Sequence, residues 1–193
     1  EEVIQKHFLD SLSLIRVIPD IASQKLTVID LGTGAGFPGI PLKIAFPELE
    51  ITLMDSLNKR ILFLQEVIDA LGLKKVSAVH GRAEEMASNA THRQQYDLCV
   101  SRAVSNLAVL TEYCLPFVKK GGLFVSYKSA DSDAEIQEGK KAISILGGKL
   151  TSVDKFQLPD SDLRRALVCI KKVKDTPKKY PRKAGTPAKL PLK

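Results

Sequence analysis

The stretch Val28–Gly39 limits what this chain can fold into more than any other. A short apolar run, Leu26 to Ile29, ends at an acid, Asp30. Gly32, Gly34 and Gly36 follow on alternate positions, and Gly39 and Pro41 open the next apolar segment. An apolar strand that runs into a glycine-rich turn and then a helix is how α/β proteins build a nucleotide cradle. The glycines admit backbone angles that a Cβ forbids and let the main chain approach a ligand. An ordinary strand-to-helix turn needs one or two glycines, and this one has four within eight residues. That excess points to a ligand site.

The pattern around the cradle extends the α/β reading. Apolar positions from 3 to 18 (Ile4, Phe8, Ile15, Ile18) sit at near-helical spacing and stop at Pro19. Short apolar runs at Glu50 to Met54, Val76 to Val79, Tyr96 to Val100 and Leu123 to Tyr127 read as strands buried on both faces. Helical segments separate them: one through Ala45, one capped by Asn58 and closed by Gly72, one from Asn106 to Val118, and one from Ala134 to Leu146. Strand and helix alternate, which predicts a parallel sheet covered on both faces. Leu150 to Leu158 and Ala166 to Val173 break the alternation, because about seven residues between them are too few for a parallel crossover. They are predicted to pair as an antiparallel hairpin. The expected fold is therefore a mostly parallel, seven-stranded Rossmann-like sheet whose last strand is reversed.

Charge divides the chain unevenly. Lys171 to Lys193 holds nine Lys or Arg against one acid, Asp175, so this end carries more than the whole chain's net +7. Residues 1–170 are close to neutral, at −1. The basic end contains four of the ten prolines and is expected to be an extended tail that meets a polyanion. Three regions result: a helical segment over 1–25, a nucleotide-binding domain over 26–173 and the tail over 174–193. The chain begins without Met inside helix-like sequence, which reads as a fragment lacking its start. Cys99, Cys114 and Cys169 are odd in number and set among apolar residues. They read as buried thiols of a reducing, cytoplasmic compartment, with neither a disulfide nor a metal framework. No apolar run is long enough for a membrane span.

Two cofactors suit the cradle. Gly34 to Gly39 matches the dinucleotide fingerprint, and Asp55 stands where it can hold ribose hydroxyls, so a nicotinamide-dependent oxidoreductase is one reading. Three features favour S-adenosylmethionine (SAM). Asp30 precedes the glycines, and an acid near the turn complements a cationic ligand where a pyrophosphate would be repelled. Ala83 and Glu84 follow the third strand, a place from which SAM methyltransferases contact adenine. The reversed last strand suits the class I SAM-dependent methyltransferase fold better than an all-parallel dehydrogenase sheet. Phe37 suits either simple packing or the methionine end of such a cofactor.

Lys6–Leu12, Asp30–Gly39, Gly81–Glu84, Ser101–Ala103 and Lys179–Lys189 together resemble the ribosomal RNA small-subunit methyltransferase G family, also called glucose-inhibited division protein B. The resemblance covers nearly the whole chain. It departs from the family at Lys6, where Arg is frequent, and at the front, where a leading helical segment is expected. It implies methylation of N7 of a guanine in 16S rRNA, naked or in an assembling small subunit; the expected oligomeric state is a monomer. It also implies that Gly32, Phe37, Ala83, Glu84 and Arg102 hold SAM, and that Gly34 and Asp55 belong to the same cradle. Guanine N7 offers a lone pair and carries no proton, so no general base is expected. A guanidinium at Arg102 suits either the cofactor's carboxylate or guanine O6. The loop after the fourth strand lacks the Pro-Pro-aromatic signature of exocyclic-amine methylation, and Cys99 lies inside a strand, unlike the nucleophile that cytosine C5 chemistry needs. His7, Asp10, Ser11, Lys128, Arg182 and Lys183 are the candidate RNA contacts. A non-catalytic RNA-binding module that retains the cradle is the remaining alternative.

Overall fold

The computed structural model describes residues 4–103 and 105–192. Residues 1–3, Val104 and Lys193 lie outside them, and with them the first residue of the predicted N-terminal helix and the last residue of the tail. Seven strands form one sheet: β1 (Thr27–Leu31), β2 (Glu50–Asp55), β3 (Val76–His80), β4 (Tyr96–Ser101), β5 (Val118–Ser129), β6 (Gly148–Gln157) and β7 (Arg164–Lys172). Their order is β3-β2-β1-β4-β5-β7-β6. The first five are parallel, and β7 runs antiparallel to both β5 and β6. The predicted hairpin and reversed last strand are present, with β7 inserted between β5 and β6.

Side-chain alternation explains how the sheet carries a core on each face. Ile29, Cys99, Phe124, Val168 and Ile170 point to one side, and Val28, Leu98, Val100, Val125 and Cys169 to the other. The first side is covered by α5 (Leu107–Cys114) and α6 (Asp133–Ile145), the second by α2 (Gly39–Ala45), α3 (Asn58–Ala70) and residues of the N-terminal segment such as Leu14. All three cysteines are buried free thiols. Among the described residues, no helix is long and apolar enough to cross a membrane.

Four boundaries differ from the sequence reading, each for a local reason. The predicted N-terminal helix is a π-helical turn over Ile4–Leu9, a single α turn, α1 (Asp10–Leu12), and a 3₁₀ turn over Ser13–Arg16. Asn58 does not cap α3: Leu57 precedes the helix, and Asp55 Oδ1 accepts the Leu57 N–H at 2.9 Å instead. The predicted helix to Val118 ends as α5 at Cys114 and passes through a 3₁₀ turn at Pro116 into β5. Strand β5 starts before the glycine pair, because Lys119–Gly122 loop out between the pairs Tyr96–Val118 and Leu98–Leu123.

The largest correction concerns the tail. Residues after β7 are not the extended tail expected but fold back over the domain. Tyr180 joins the core, Thr176 is buried, and α7 (Thr186–Lys189) forms near the far end.

Candidate active site

The strand order reverses at the β1–β4 pair, and an open α/β sheet leaves its crevice at that point, outside the carboxyl ends of the strands. A cleft of about 840 Å³ lies there, lined by residues from the ends of β1, β2, β3 and β4. Its volume is in the range of ordinary small-molecule sites.

The glycine turn forms its floor. Gly32 and Thr33 donate to Met54 O at 2.9 and 3.1 Å, which ties the turn to β2. The glycines divide by role. At Gly36 (φ +96°) a Cβ would stand 2.6 Å from Ile40 Cγ1 and 2.9 Å from Leu64 Cδ2, so this glycine is required by packing. At Gly34 (φ +61°) a Cβ would meet no protein atom within 4 Å, and the space kept there lies on the side of the cleft.

Asp30 and Asp55 end neighbouring strands and do different work. Asp30 is fully buried and does not line the cleft. Its Oδ2 accepts Thr33 Oγ1 at 2.6 Å and Gly39 N at 2.8 Å, which fixes the turn from beneath. The expectation that it faces a cationic ligand is corrected: it is a brace for the backbone. Burial pushes its pKa up to about 6, partly offset by those two hydrogen bonds and by the Arg102 charge. Asp55 is nearly buried but does line the cleft, where its Oδ2 accepts Gly34 N at 3.0 Å and Arg60 Nη1 at 3.1 Å. Arg60, which the sequence reading missed, is its ion-pair partner from α3.

Ala83 opens α4 (Ala83–Met86) and lines the cleft with Glu84. Glu84 Oε1 accepts the Gly185 N–H of the tail at 2.9 Å. Phe37 forms another part of the wall. Its ring lies 5.2 Å from His7, 5.3 Å edge-on from Phe8 and 5.3 Å beneath the Arg102 guanidinium. Arg102 is largely buried and reaches the N-terminal segment. It pairs with Asp10 Oδ2 at 3.2 Å, donates to Lys6 O at 3.1 Å and meets His7 Nδ1 at 3.0 Å. The predicted cofactor residues are thus brought to one cleft.

The predicted RNA contacts separate. His7 lines the cleft and a neighbouring hollow of about 640 Å³. Asp10 is buried between Arg102 and Arg165, and Ser11 is fully buried with its hydroxyl on His7 O at 2.5 Å. Asp10 lines the neighbouring hollow, and Ser11 lines neither space. Lys128 keeps its ammonium on Ser105 O and Glu135, both at 2.6 Å. Arg182 is spent on Glu112, with Nε and Nη2 donating to its two oxygens at 2.6–3.2 Å. Lys183 is exposed, as expected of a phosphate contact. Glu112 itself carried a signal, since an acid inside the apolar run Leu107–Cys114 needs a hydrogen-bonding or charged partner once buried.

A family profile described as rRNA small subunit methyltransferase G matches residues 1–168. The chain belongs to that family. A ribosomal RNA small subunit methyltransferase G from Lachnoclostridium phytofermentans is 59% identical over 192 residues, covering 100% of this chain and 78% of the relative. One from Alkaliphilus metalliredigens is 56% identical, covering 100% and 80%. Membership in this methyltransferase G family sets aside the oxidoreductase and the non-catalytic module. In fold, the chain is similar to the S-adenosylmethionine-dependent methyltransferase SibL, with a TM-score of 0.63 at 15% identity over 86% of this chain and 55% of that one. It is also similar to TrmN from Thermus thermophilus, with a TM-score of 0.61 at 15% identity over 84% and 48%. The sheet is that of class I SAM-dependent methyltransferases.

The cleft fits that cofactor. Carboxylates stand at the end of β2 and beyond β3 and a guanidinium beyond β4, so its rim offers acceptors for hydroxyls and an amine and a donor for a carboxylate, the groups that cofactor carries. At Gly34, which lines the same cleft, a Cβ would meet no protein atom, so the backbone there is open to a ligand.

Proposed function

We propose that this methyltransferase G family member transfers a methyl group from SAM to N7 of a guanine in 16S rRNA, in the bacterial cytoplasm. The observation that carries the reading is the spacing of Asp55, Glu84 and Arg102 around one cleft on the substrate side of the sheet. In it, Gly32 and Gly34 let the main chain lie close to the cofactor, Asp55 accepts from the ribose, Ala83 and Glu84 meet the adenine, and Arg102 holds the carboxylate. Phe37 closes the methionine end.

When bound, the cofactor would supply a methyl on a sulfonium, an electrophile that a nitrogen lone pair such as N7 can take directly, the carbon–sulfur electron pair returning to sulfur. No proton leaves N7, so the residues of the cleft need only align and exclude water. Alignment of two bound reactants is worth roughly 7–11 kcal/mol of barrier. His7 stands between the cleft and the adjoining hollow, where a base drawn out of the RNA would reach the donor. Lys183 and the other exposed tail cations meet phosphate.

A 16S rRNA transcript made with 7-deazaguanosine tests this reading, because it removes the acceptor atom and keeps every exocyclic group. Labelled methyl is expected on the normal transcript and absent from the substituted one. Equal labelling of both would overturn N7 as the acceptor.

A further inference from the structure

Residues 174–192 are clamped to the domain at three points. The Arg93 guanidinium donates to Thr176 O and Tyr180 O, both at 2.9 Å. Buried Lys172 donates to Thr176 Oγ1 at 2.6 Å and Leu115 O at 2.5 Å. Arg182 meets Glu112 through its side chain and again through its backbone N–H, at 2.9 Å to Oε1. This last pair joins the tail to α5, the helix that also carries Tyr113 to the cleft. From there the chain turns at Gly185 (φ +81°), donates its N–H to Glu84 Oε1, and lays Gly185 and Ala188 into the lining of the cleft.

We propose that Arg182–Ala188 forms the adenine-side wall of the cofactor pocket, with Arg182 a positioning residue that acts through Gly185 and Glu84. This rests on the SAM reading of the cleft. The geometry gives a reason for each part. Glu84 sits in a four-residue helix, too short to fix a long side chain by itself. A donor on one carboxylate oxygen holds the rotamer and leaves Oε2 to accept from the ligand. The Arg182–Glu112 pair sets where that N–H lies, and the left-handed angle of Gly185 then turns the chain toward Ala188 and the cleft. The basic end therefore belongs to the cofactor site as well as to the RNA surface.

Calorimetric titration of the full chain with S-adenosylhomocysteine tests the proposal without relying on turnover. Ala188 is exposed to solvent, so Ala188→Trp should fold and melt like wild type while filling the cleft from the tail side. It is expected to weaken binding at least tenfold. Arg182→Ala is expected to weaken it severalfold, and Arg182→Lys to fall between, since an ammonium cannot make the two parallel bonds of the guanidinium. Wild-type affinity in both Ala188→Trp and Arg182→Ala, whatever their melting temperatures, would overturn the proposal. A wild-type chain that binds no S-adenosylhomocysteine would overturn the cofactor reading and this proposal with it.

Discussion

Asp30 shows how one motif position does two kinds of work. Its carboxyl braces the turn through Thr33 and Gly39, yet burial raises its pKa to about 6, above the unfolded value of about 3.8. Between those values the folded chain binds the proton that the unfolded chain has lost, so stability falls as pH rises through the window. The shift corresponds to about 3 kcal/mol. Asp30→Asn should remove this dependence, and the stability difference between mutant and wild type from urea unfolding should grow between pH 4 and 6. A flat difference would contradict the burial argument. The glycines make a matching pair. Gly36→Ala forces Cβ into Ile40 and Leu64 and should cost about 2–4 kcal/mol of stability. Gly34→Ala meets no protein atom, so its cost is the strain of φ +61°, about 1 kcal/mol, and its main effect should be on S-adenosylhomocysteine affinity. The alternating glycines are readable from sequence as a cradle. Which of them serves packing and which serves the ligand depends on Leu64, 28 positions from Gly36, and is not.

Strands and helices were readable where a local pattern decides them. The parallel strands are short apolar runs, and the β6–β7 hairpin followed from a connection too short for anything else. The boundaries that moved depend on partners elsewhere: β5 starts at Val118 because it pairs with Tyr96, and Asn58 falls inside α3 because Asp55 of β2 holds the Leu57 N–H just before it. The tail was unreadable for the same reason, since its anchors Arg93, Glu112 and Lys172 lie on three other segments. Lys172 also sets a pH dependence. Burial, with Arg93 nearby, lowers its pKa from 10.5 to about 7. Between those values the unfolded chain holds a proton that the folded chain has shed, so this residue makes stability rise with pH across the window, by up to about 5 kcal/mol. Lys172→Met should abolish that rise in the wild-type-minus-mutant difference; its persistence would exclude Lys172 as the source.

The molecule as a whole sets a nearly neutral domain beside a basic end, and the two meet at the cleft. Four exposed lysines, Lys178, Lys179, Lys183 and Lys189, carry much of that end's charge, together with exposed Lys171 and Lys174, while Arg182 and Lys172 are turned inward. Replacing these four lysines with alanine should weaken rRNA binding and flatten its salt dependence, by up to ~0.7–0.9 in log–log slope for each phosphate that is no longer neutralised. An unchanged slope in filter binding would remove the tail from the RNA interface. The central claim is transfer to guanine N7, and N7 methylation leaves a cationic base that borohydride reduces and aniline then cleaves at the chain. The most direct measurement is therefore primer extension across borohydride- and aniline-treated 16S rRNA after incubation with the protein and SAM. A new stop at a guanine, absent without the protein, is the predicted result. Incorporated methyl label with no cleavage at any guanine would contradict it.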